Sequence, residues 1–458
     1  MIRSLILFLA AFVVVALLTP LVIAVARRYK LGIDEPDSVR KNHALAVPRL
    51  GGVPVMLVVS LTALAIALWR PGELALWVPV FAGAGLFFLL GLIDDLRGLD
   101  AKRKFVAQIA VALLVYGLGV GIDRVSYPGG AWSVELSGWS LLVTVFWLVA
   151  IPNIVNLIDG FDGLAGGLGM FMAGTLGLVG LMAEQQLVAW FSFALAGALL
   201  GFLVFNFPPA KIFLGDGGAY LIGFCIAAVS TQSSQKGSVA AVLFVTIVAL
   251  GLPILDTSFA MIRRTFRGFP LFHADDEHIH HRLEALGFSK QRIIIGVYGV
   301  CVVLSLVGLS IFWSQGRTIP IAIGVVFLLA LIAVRYLRYF TGWADLQRVM
   351  NMKEGRRRDV RYALLQARLL ELEIERCNSR EEFLELLHNA LARTGFRLHD
   401  GGGGEYADVT LSDGDGHDLP LLAPIDSVMP DHWRRLAKCF VPVLRKANEK
   451  WRLERIGN

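Results

Sequence analysis

The stretch Trp139–Ala183, WSLLVTVFWLVAIPNIVNLIDGFDGLAGGLGMFMAGTLGLVGLMA, decides how the chain is read. Two apolar runs, 139–155 and 163–183, flank a polar knot, NLIDGFD, at 156–162. As a helix, each run approaches the roughly 30 Å hydrocarbon core of a bilayer. The knot gathers amides and carboxylates with no Lys or Arg.

The same alternation extends outward. Further apolar runs fall at 5–26, 50–69, 75–93, 105–121, 187–205, 213–230, 238–256, 293–313 and 319–340. The chain has 458 residues, 56% of them hydrophobic and 17% charged, with mean hydropathy +0.63. A soluble domain carries about 25% charged residues, so a wholly soluble globular protein and a disordered one are both excluded. The expected fold is an all-α polytopic membrane protein of about 11 transmembrane helices. A small C-terminal α+β cytoplasmic domain follows, with residues 1–340 as the membrane part and 341–458 as the tail. The run at Leu5–Ala26 enters Arg27-Arg28 with no small-residue cleavage site, and reads as an uncleaved span.

Net charge is +6, which here fits a positive-inside bias rather than nucleic-acid binding. The loops 27–49, 94–104, 156–162, 206–212 and 257–292 carry 17 Lys and Arg against 5 on the opposite set. The first set is therefore expected in the cytoplasm, together with the tail. Cys225, Cys301, Cys377 and Cys439 form no Cys-x-x-Cys pair, so neither zinc nor a disulfide framework is indicated.

Nearly every loop dense in chemistry falls on the cytoplasmic side. The first runs from Asp34 through Lys41 and His43 to Pro48-Arg49-Leu50-Gly51-Gly52, where a Gly pair opening a helix would let backbone N–H groups approach an anion. The second holds Asp94-Asp95, a costly pair at an apolar helix end unless compensated, followed by Lys102, Arg103 and Lys104. In the third, Asn153, Asn156 and Asp159 share a helix face and Asp162-Gly163 turns the chain, so four oxygen-bearing side chains are expected to converge on a cation. The fourth, Phe213-Leu214-Gly215-Asp216-Gly217-Gly218, embeds an Asp in glycine, as suits a single ligand whose backbone approaches a phosphate. The fifth is His273 to Leu283, containing His278, His280, His281 and Arg282. Its spacing is not His-Glu-x-x-His, so an anion-facing loop is the first reading, beside a zinc site and a structural loop. Carboxylates for a metal and cations for phosphates at a membrane face argue phosphoryl transfer, with a lipid phosphate as one substrate.

These motifs together resemble the polyprenyl-phosphate N-acetylhexosamine-1-phosphate transferases, the bacterial branch of glycosyl transferase family 4, over about residues 1–340. Pro48–Gly52, Asn153–Ala165 and His278–Arg282 look like the GlcNAc-1-phosphate branch. The resemblance implies that UDP-GlcNAc and undecaprenyl phosphate react with Mg²⁺ (or Mn²⁺) to give undecaprenyl-diphospho-GlcNAc and UMP. Such a step opens O-antigen, teichoic acid or related envelope synthesis at a bacterial inner membrane. It implies Asn156 and Asp216 as metal ligands, and Asp94, Asp95, Asp159 and Asp162 as catalytic carboxylates. Lys41, His43, Arg49, Lys104, Asn153, His278, His280, His281 and Arg282 are implied in substrate binding. Expected partners are the two substrates and the bilayer, with no nucleic acid and a homodimer allowed. The chemistry admits another UDP-N-acetylhexosamine or UDP-MurNAc-pentapeptide. A transporter of a phosphorylated or lipid-linked solute is the reading from another class, but matched half-repeats are not found. A scaffold would leave the five polar motifs unexplained.

In the tail, 345–377 reads as an amphipathic helix, and Ser379 with Glu382 is a capping-box signature for a second. Val409–Leu411 and Leu419–Leu422 suggest a hairpin, and 430–452 a last helix. The module loosely resembles a truncated GAF-type domain.

Overall fold

The structure is a computed structural model that describes residues 1–34, 47–126, 133–234, 287–336, 354–377, 379–398, 406–412 and 418–424, with 436–437, 439–444, 446–447 and 450. The expected span 238–256, the His-rich loop 273–283, Lys41 and His43 lie outside the described residues. The chain divides into two compact units. The described residues through Tyr336 lie in one and those from Glu354 in the other.

In the first unit, helices α1 (Ile2–Tyr29), α2 (Gly52–Trp69), α3 (Pro71–Arg97) and α4 (Ala101–Gly117) come first. Two antiparallel residue pairs join β1 (Ile33–Asp34) to β2 (Val47–Pro48), and β3 (Arg124–Ser126) to β4 (Ser133–Glu135) makes a second small ladder. Next come α5 (Ser140–Ile158), α6 (Leu164–Met182), α7 (Gln186–Asn206), α8 (Gly215–Ser234), α9 (Lys290–Trp313) and α10 (Ile319–Tyr336). Among the described residues, seven helices are long and apolar enough to cross a membrane: α1, α2, α3, α5 (with Ser137–Trp139), α6, α7 and α9. Helices α4, α8 and α10 also fall on expected spans. Among them, α4 is only 17 residues long and opens on Lys102, Arg103 and Lys104.

Boundaries follow from local chemistry. Pro71, lacking an N–H to lose, starts α3 two residues after α2 ends. Lys30 closes α1 in the left-handed region, its N–H returning to the Ala26 carbonyl. Gly163 at φ +78° opens α6, and Gly215 at φ +76° opens α8; both conformations favour glycine.

Helix α7 is wrapped by α1, α2 and α6, while α8, almost wholly buried where its side chains are described, packs against α3 and α5. Phe87 of α3 stacks on Phe224 of α8 at 4.8 Å between ring centroids. Small residues allow the close approaches: a Cβ on Gly223 would lie 2.4 Å from the Pro152 Cα. Along α1 the large side chains Leu5, Leu9, Leu17 and Leu21 are exposed, as an apolar surface facing lipid would be.

In the second unit, α11 (Glu354–Glu373) and α12 (Arg380–Arg393) precede a three-stranded antiparallel sheet of order β5-β7-β6. Its strands are β5 (Arg397–Leu398), β6 (Tyr406–Ser412) and β7 (Asp418–Pro424). The hairpin pairs Tyr406 with Pro424 and Ser412 with Asp418. Ser379 caps α12, its Oγ accepting the Glu382 N–H at 3.1 Å. Ala363, Ala367 and Leu370 of α11, with Ile374 just after it, meet Phe383, Leu387, Phe396 and Phe440 in a separate apolar core. Most of the expected helix 430–452 lies outside the described residues.

Candidate active site

The end of α3, the start of α4, the end of α5 and the start of α8 bring their polar residues together. Asp94 and Asp95 stand in the last turn of α3, which Gly98 ends. The Lys104 ammonium donates to Asp94 Oδ2 at 2.6 Å and lies 3.4 Å from Asp216 Oδ2. Asp94 Oδ1 accepts the Leu99 N–H at 2.6 Å. Asn156 Nδ2 donates to Asp216 Oδ1 at 2.9 Å, so α5 is tied to α8 across 60 residues of chain. Asp216 is thus contacted by both Lys104 and Asn156, and Lys104 is shared by two carboxylates.

Asp95 faces elsewhere. Its Oδ1 accepts the backbone N–H of Asp216 at 3.0 Å, and its Oδ2 that of Gly217 at 2.9 Å. It therefore caps the N-terminus of α8 from another helix.

Two expectations about backbone are corrected. The Gly51 and Gly52 N–H groups donate to the Phe213 and Leu214 carbonyls, and Phe213 N–H returns to the Pro48 carbonyl. That ladder consumes the donors expected to meet an anion. The glycines instead permit close packing. A Cβ on Gly52 would lie 2.5 Å from Gly218 N, and one on Gly91 would lie 2.4 Å from the carbonyl carbon of Asp216. Gly217 and Gly218 pack against α3 and α2, with the Gly217 N–H already spent on Asp95.

The expected convergence at 153–162 is also narrower. Asn153 turns to the buried Gln108, donating at 2.6 Å, and to the Val149 carbonyl at 2.7 Å. Asp162 Oδ2 accepts the Ala210 N–H at 3.1 Å. Asn156 binds Asp216 directly, and Asp159, one residue past α5, is coupled to it through charge. Asn206, which the sequence reading passed over, braces this turn: it accepts the Gly163 N–H at 2.9 Å and donates to the Ile212 carbonyl at 2.8 Å. A lone Asn ending an apolar helix was the available signal. Tyr298 adds a 2.6 Å bond to the Gly163 carbonyl.

Electrostatics follow from this geometry. Burial first, then the charges of Asp216 and Asp95, holds the half-buried Asp159 carboxyl well above its ordinary range, with Arg49 opposing. Burial pulls the Lys104 ammonium down, but its bond to Asp94 and the charge of Asp216 outweigh that and hold it above the usual lysine range. Lys104 thus meets Asp94 and Asp216, while the charge of Arg49 acts on Asp159.

Among the described residues, no three His, Cys, Asp or Glu side chains form a metal cage. Mg²⁺ does not require one, because one or two carboxylates plus substrate phosphates and waters suffice. Asp216 with Asn156 offers that kind of oxygen set once the Asn amide presents its carbonyl, and the negative charge that Asp216 sets against Asp159 is what a divalent cation would offset.

The family model described as glycosyl transferase family 4 matches residues 77–234, which hold Asp94, Asp95, Lys104, Asn156 and Asp216. The chain belongs to this family and is a transferase. It is 34% identical over 329 residues to a Bacillus subtilis (strain 168) protein named "Probable undecaprenyl-phosphate N-acetylglucosaminyl 1-phosphate transferase", covering 72% of this chain and 90% of that one. It is 36% identical over 324 residues to a Mycobacterium tuberculosis (strain ATCC 25618 / H37Rv) protein named decaprenyl-phosphate N-acetylglucosaminephosphotransferase, covering 65% and 80%. A Listeria monocytogenes phospho-N-acetylmuramoyl-pentapeptide-transferase is 31% identical over 322 residues, covering 66% and 96%. The phosphotransferase class implied by the motifs is the class these relatives carry in their names.

Proposed function

We propose that the protein transfers GlcNAc-1-phosphate from UDP-GlcNAc to undecaprenyl phosphate at the cytoplasmic face of a bacterial inner membrane. The products are undecaprenyl-diphospho-GlcNAc and UMP, for envelope polysaccharide synthesis. The observation that carries the reading is the Asp94–Lys104–Asp216–Asn156 chain at one end of four helices. A fixed ammonium there can meet phosphate oxygens, and phosphoryl transfer needs positioning and charge neutralisation above all. Asp216 and Asn156 would hold Mg²⁺ (or Mn²⁺), which when bound neutralises diphosphate charge. A lipid-phosphate oxygen attacks the sugar-bearing phosphorus; a P–O bond forms, the diphosphate bridge breaks, and UMP leaves. Lys104 holds the phosphates, Asp94 orients Lys104, and Asp95 fixes the start of α8. His278, His280, His281 and Arg282, with Lys41, His43 and Arg49, are proposed to bind substrate.

The GlcNAc donor is favoured by the Pro48–Gly52 and His278–Arg282 motifs and by the 34% and 36% identities to GlcNAc-named relatives, against 31% to the pentapeptide-named one. Eleven spans, a cytoplasmic active site and a cytoplasmic accessory domain at 341–458 belong to the same proposal. The test is purified protein with undecaprenyl phosphate, Mg²⁺ and UDP-GlcNAc, UDP-GalNAc or UDP-MurNAc-pentapeptide, following UMP. UMP release with UDP-GlcNAc alone supports the reading, and turnover only with another donor replaces it.

A further inference from the structure

Helix α11 carries two apolar stripes. One, Ala363, Ala367 and Leu370, continued by Ile374 just past the helix end, is buried in the core of its own unit. The other, Tyr362, Leu365, Leu369 and Leu372, is exposed at 43%, 61%, 56% and 64%. A helix docked on one face needs a single apolar stripe. The second has its own regularity: its members are spaced three, four and three residues apart, the a-d-a-d spacing of a two-helix seam.

The flanks agree with that geometry. With Leu369 and Leu372 at a and d, Arg368 falls at g and Glu373 at the following e position. In a parallel, in-register pair, g of one helix meets e of the other five residues on. Arg368 of each copy would face Glu373 of its twin, opposite in sign, on both sides of the two-fold axis. A bilayer surface fits the leucine end of the helix less well: Arg356, Arg357, Arg358 and Arg361 lie ahead of it, while Glu371 and Glu373 flank Leu372, where an anionic leaflet repels them.

We propose that α11 is a homodimerisation helix, its exposed stripe pairing in parallel with the same stripe of a second copy. The seam spans Tyr362 to Leu372, roughly 15 Å of helix, too short for tight pairing of free peptides. Confinement of both copies to one membrane raises their effective concentration much as a linker would. The inference is independent of which sugar the transferase uses.

The test uses the full chain in native membranes. Leu369→Cys and Leu372→Cys place a thiol at a seam position that meets its own twin, and Glu385→Cys puts one on the exposed face of α12 as control. The native cysteines are buried. Mild oxidation should give disulfide-linked dimers at both seam positions, at least tenfold above the control. Adding Leu365→Glu to either seam variant should abolish the cross-link while UMP release persists. Equal cross-linking at all three sites, or none at the seam, would overturn the proposal. So would an environment-sensitive dye, attached to the thiol of the Leu369→Cys variant, that reports lipid contact without a dimer. If the seam variants misfold, native mass spectrometry of the unaltered protein against Leu365→Glu decides: a dimer insensitive to that change sinks the idea.

Discussion

The carboxylate of Asp95 accepts the backbone N–H of Asp216 at 3.0 Å, so one acidic residue sets the position of another from a different helix. Its second oxygen takes the next N–H, of Gly217. Asp216 can turn its own side chain toward Lys104 and Asn156 because its backbone is held from behind.

This arrangement predicts a graded response at position 95. Asp95→Ala orphans two helix N-terminal donors and should destabilise the fold by about 1–3 kcal/mol. Asp95→Asn keeps one accepting oxygen and should fall between. Thermal unfolding and UMP release should both rank Asp above Asn above Ala. Were Asp95 the proton acceptor of the reaction, Asn would be as inactive as Ala while nearly as stable as the parent.

Gly91 tests the same relationship from α3. An added Cβ would lie 2.4 Å from the carbonyl carbon of Asp216, where only backbone can yield. Gly91→Ala should therefore cost about 1–3 kcal/mol and shift Asp216, lowering turnover by at least about tenfold, on the order of 1.4 kcal/mol in the barrier. Gly85→Ala is the control, since its Cβ meets only Met56 at an ordinary 3.7 Å. Matching activities of the two variants would show that the start of α8 tolerates displacement.

Much of this is legible in sequence. Apolar runs of membrane length announce their helices, and Asn156 and Asp216 stand out because a polar side chain in an apolar segment needs a partner, which each finds in the other. The glycines mislead, since Gly51-Gly52 and Gly217-Gly218 look alike whether a helix start meets a phosphate or another backbone. Only the fold shows Gly52 against Gly218. Asn153 and Asp162 mislead for a related reason. Helical spacing puts them near Asn156 and Asp159, but each finds a nearer partner, Gln108 and the Ala210 N–H, from chain that spacing does not reveal.

The loop at 278–282 carries the donor-binding expectation. His281→Ala and Arg282→Ala should each weaken UDP-GlcNAc use more than undecaprenyl-phosphate use. A lost charge-assisted bond is worth about 1.5–3 kcal/mol, so about ten- to a hundredfold in KM or kcat/KM for the donor. Separate titrations of the two substrates, with metal analysis of the purified protein, decide. Equal losses for both, or stoichiometric zinc, would remove the assignment.

The last prediction joins the cation to the electrostatics of Asp159. Burial and the neighbouring charges of Asp216 and Asp95 raise its carboxyl well above the ordinary value of 3.8, so without metal the folded state holds a proton that the unfolded chain has lost. The sign follows from linkage: stability is full below the ordinary carboxylate range and declines as pH rises toward the raised value. A divalent cation at Asp216 and Asn156 offsets that negative charge and should restore what is lost. Thermal unfolding without metal should therefore weaken from acid toward neutral pH, and Mg²⁺ or Mn²⁺ should stabilise more at neutral than at acid pH. Asp216→Asn should remove both the metal-induced stabilisation and most UMP release, and excess EDTA should abolish turnover of the parent. Full activity in EDTA, or a metal-induced shift that survives Asp216→Asn unchanged, would show that the cation is not bound by Asp216.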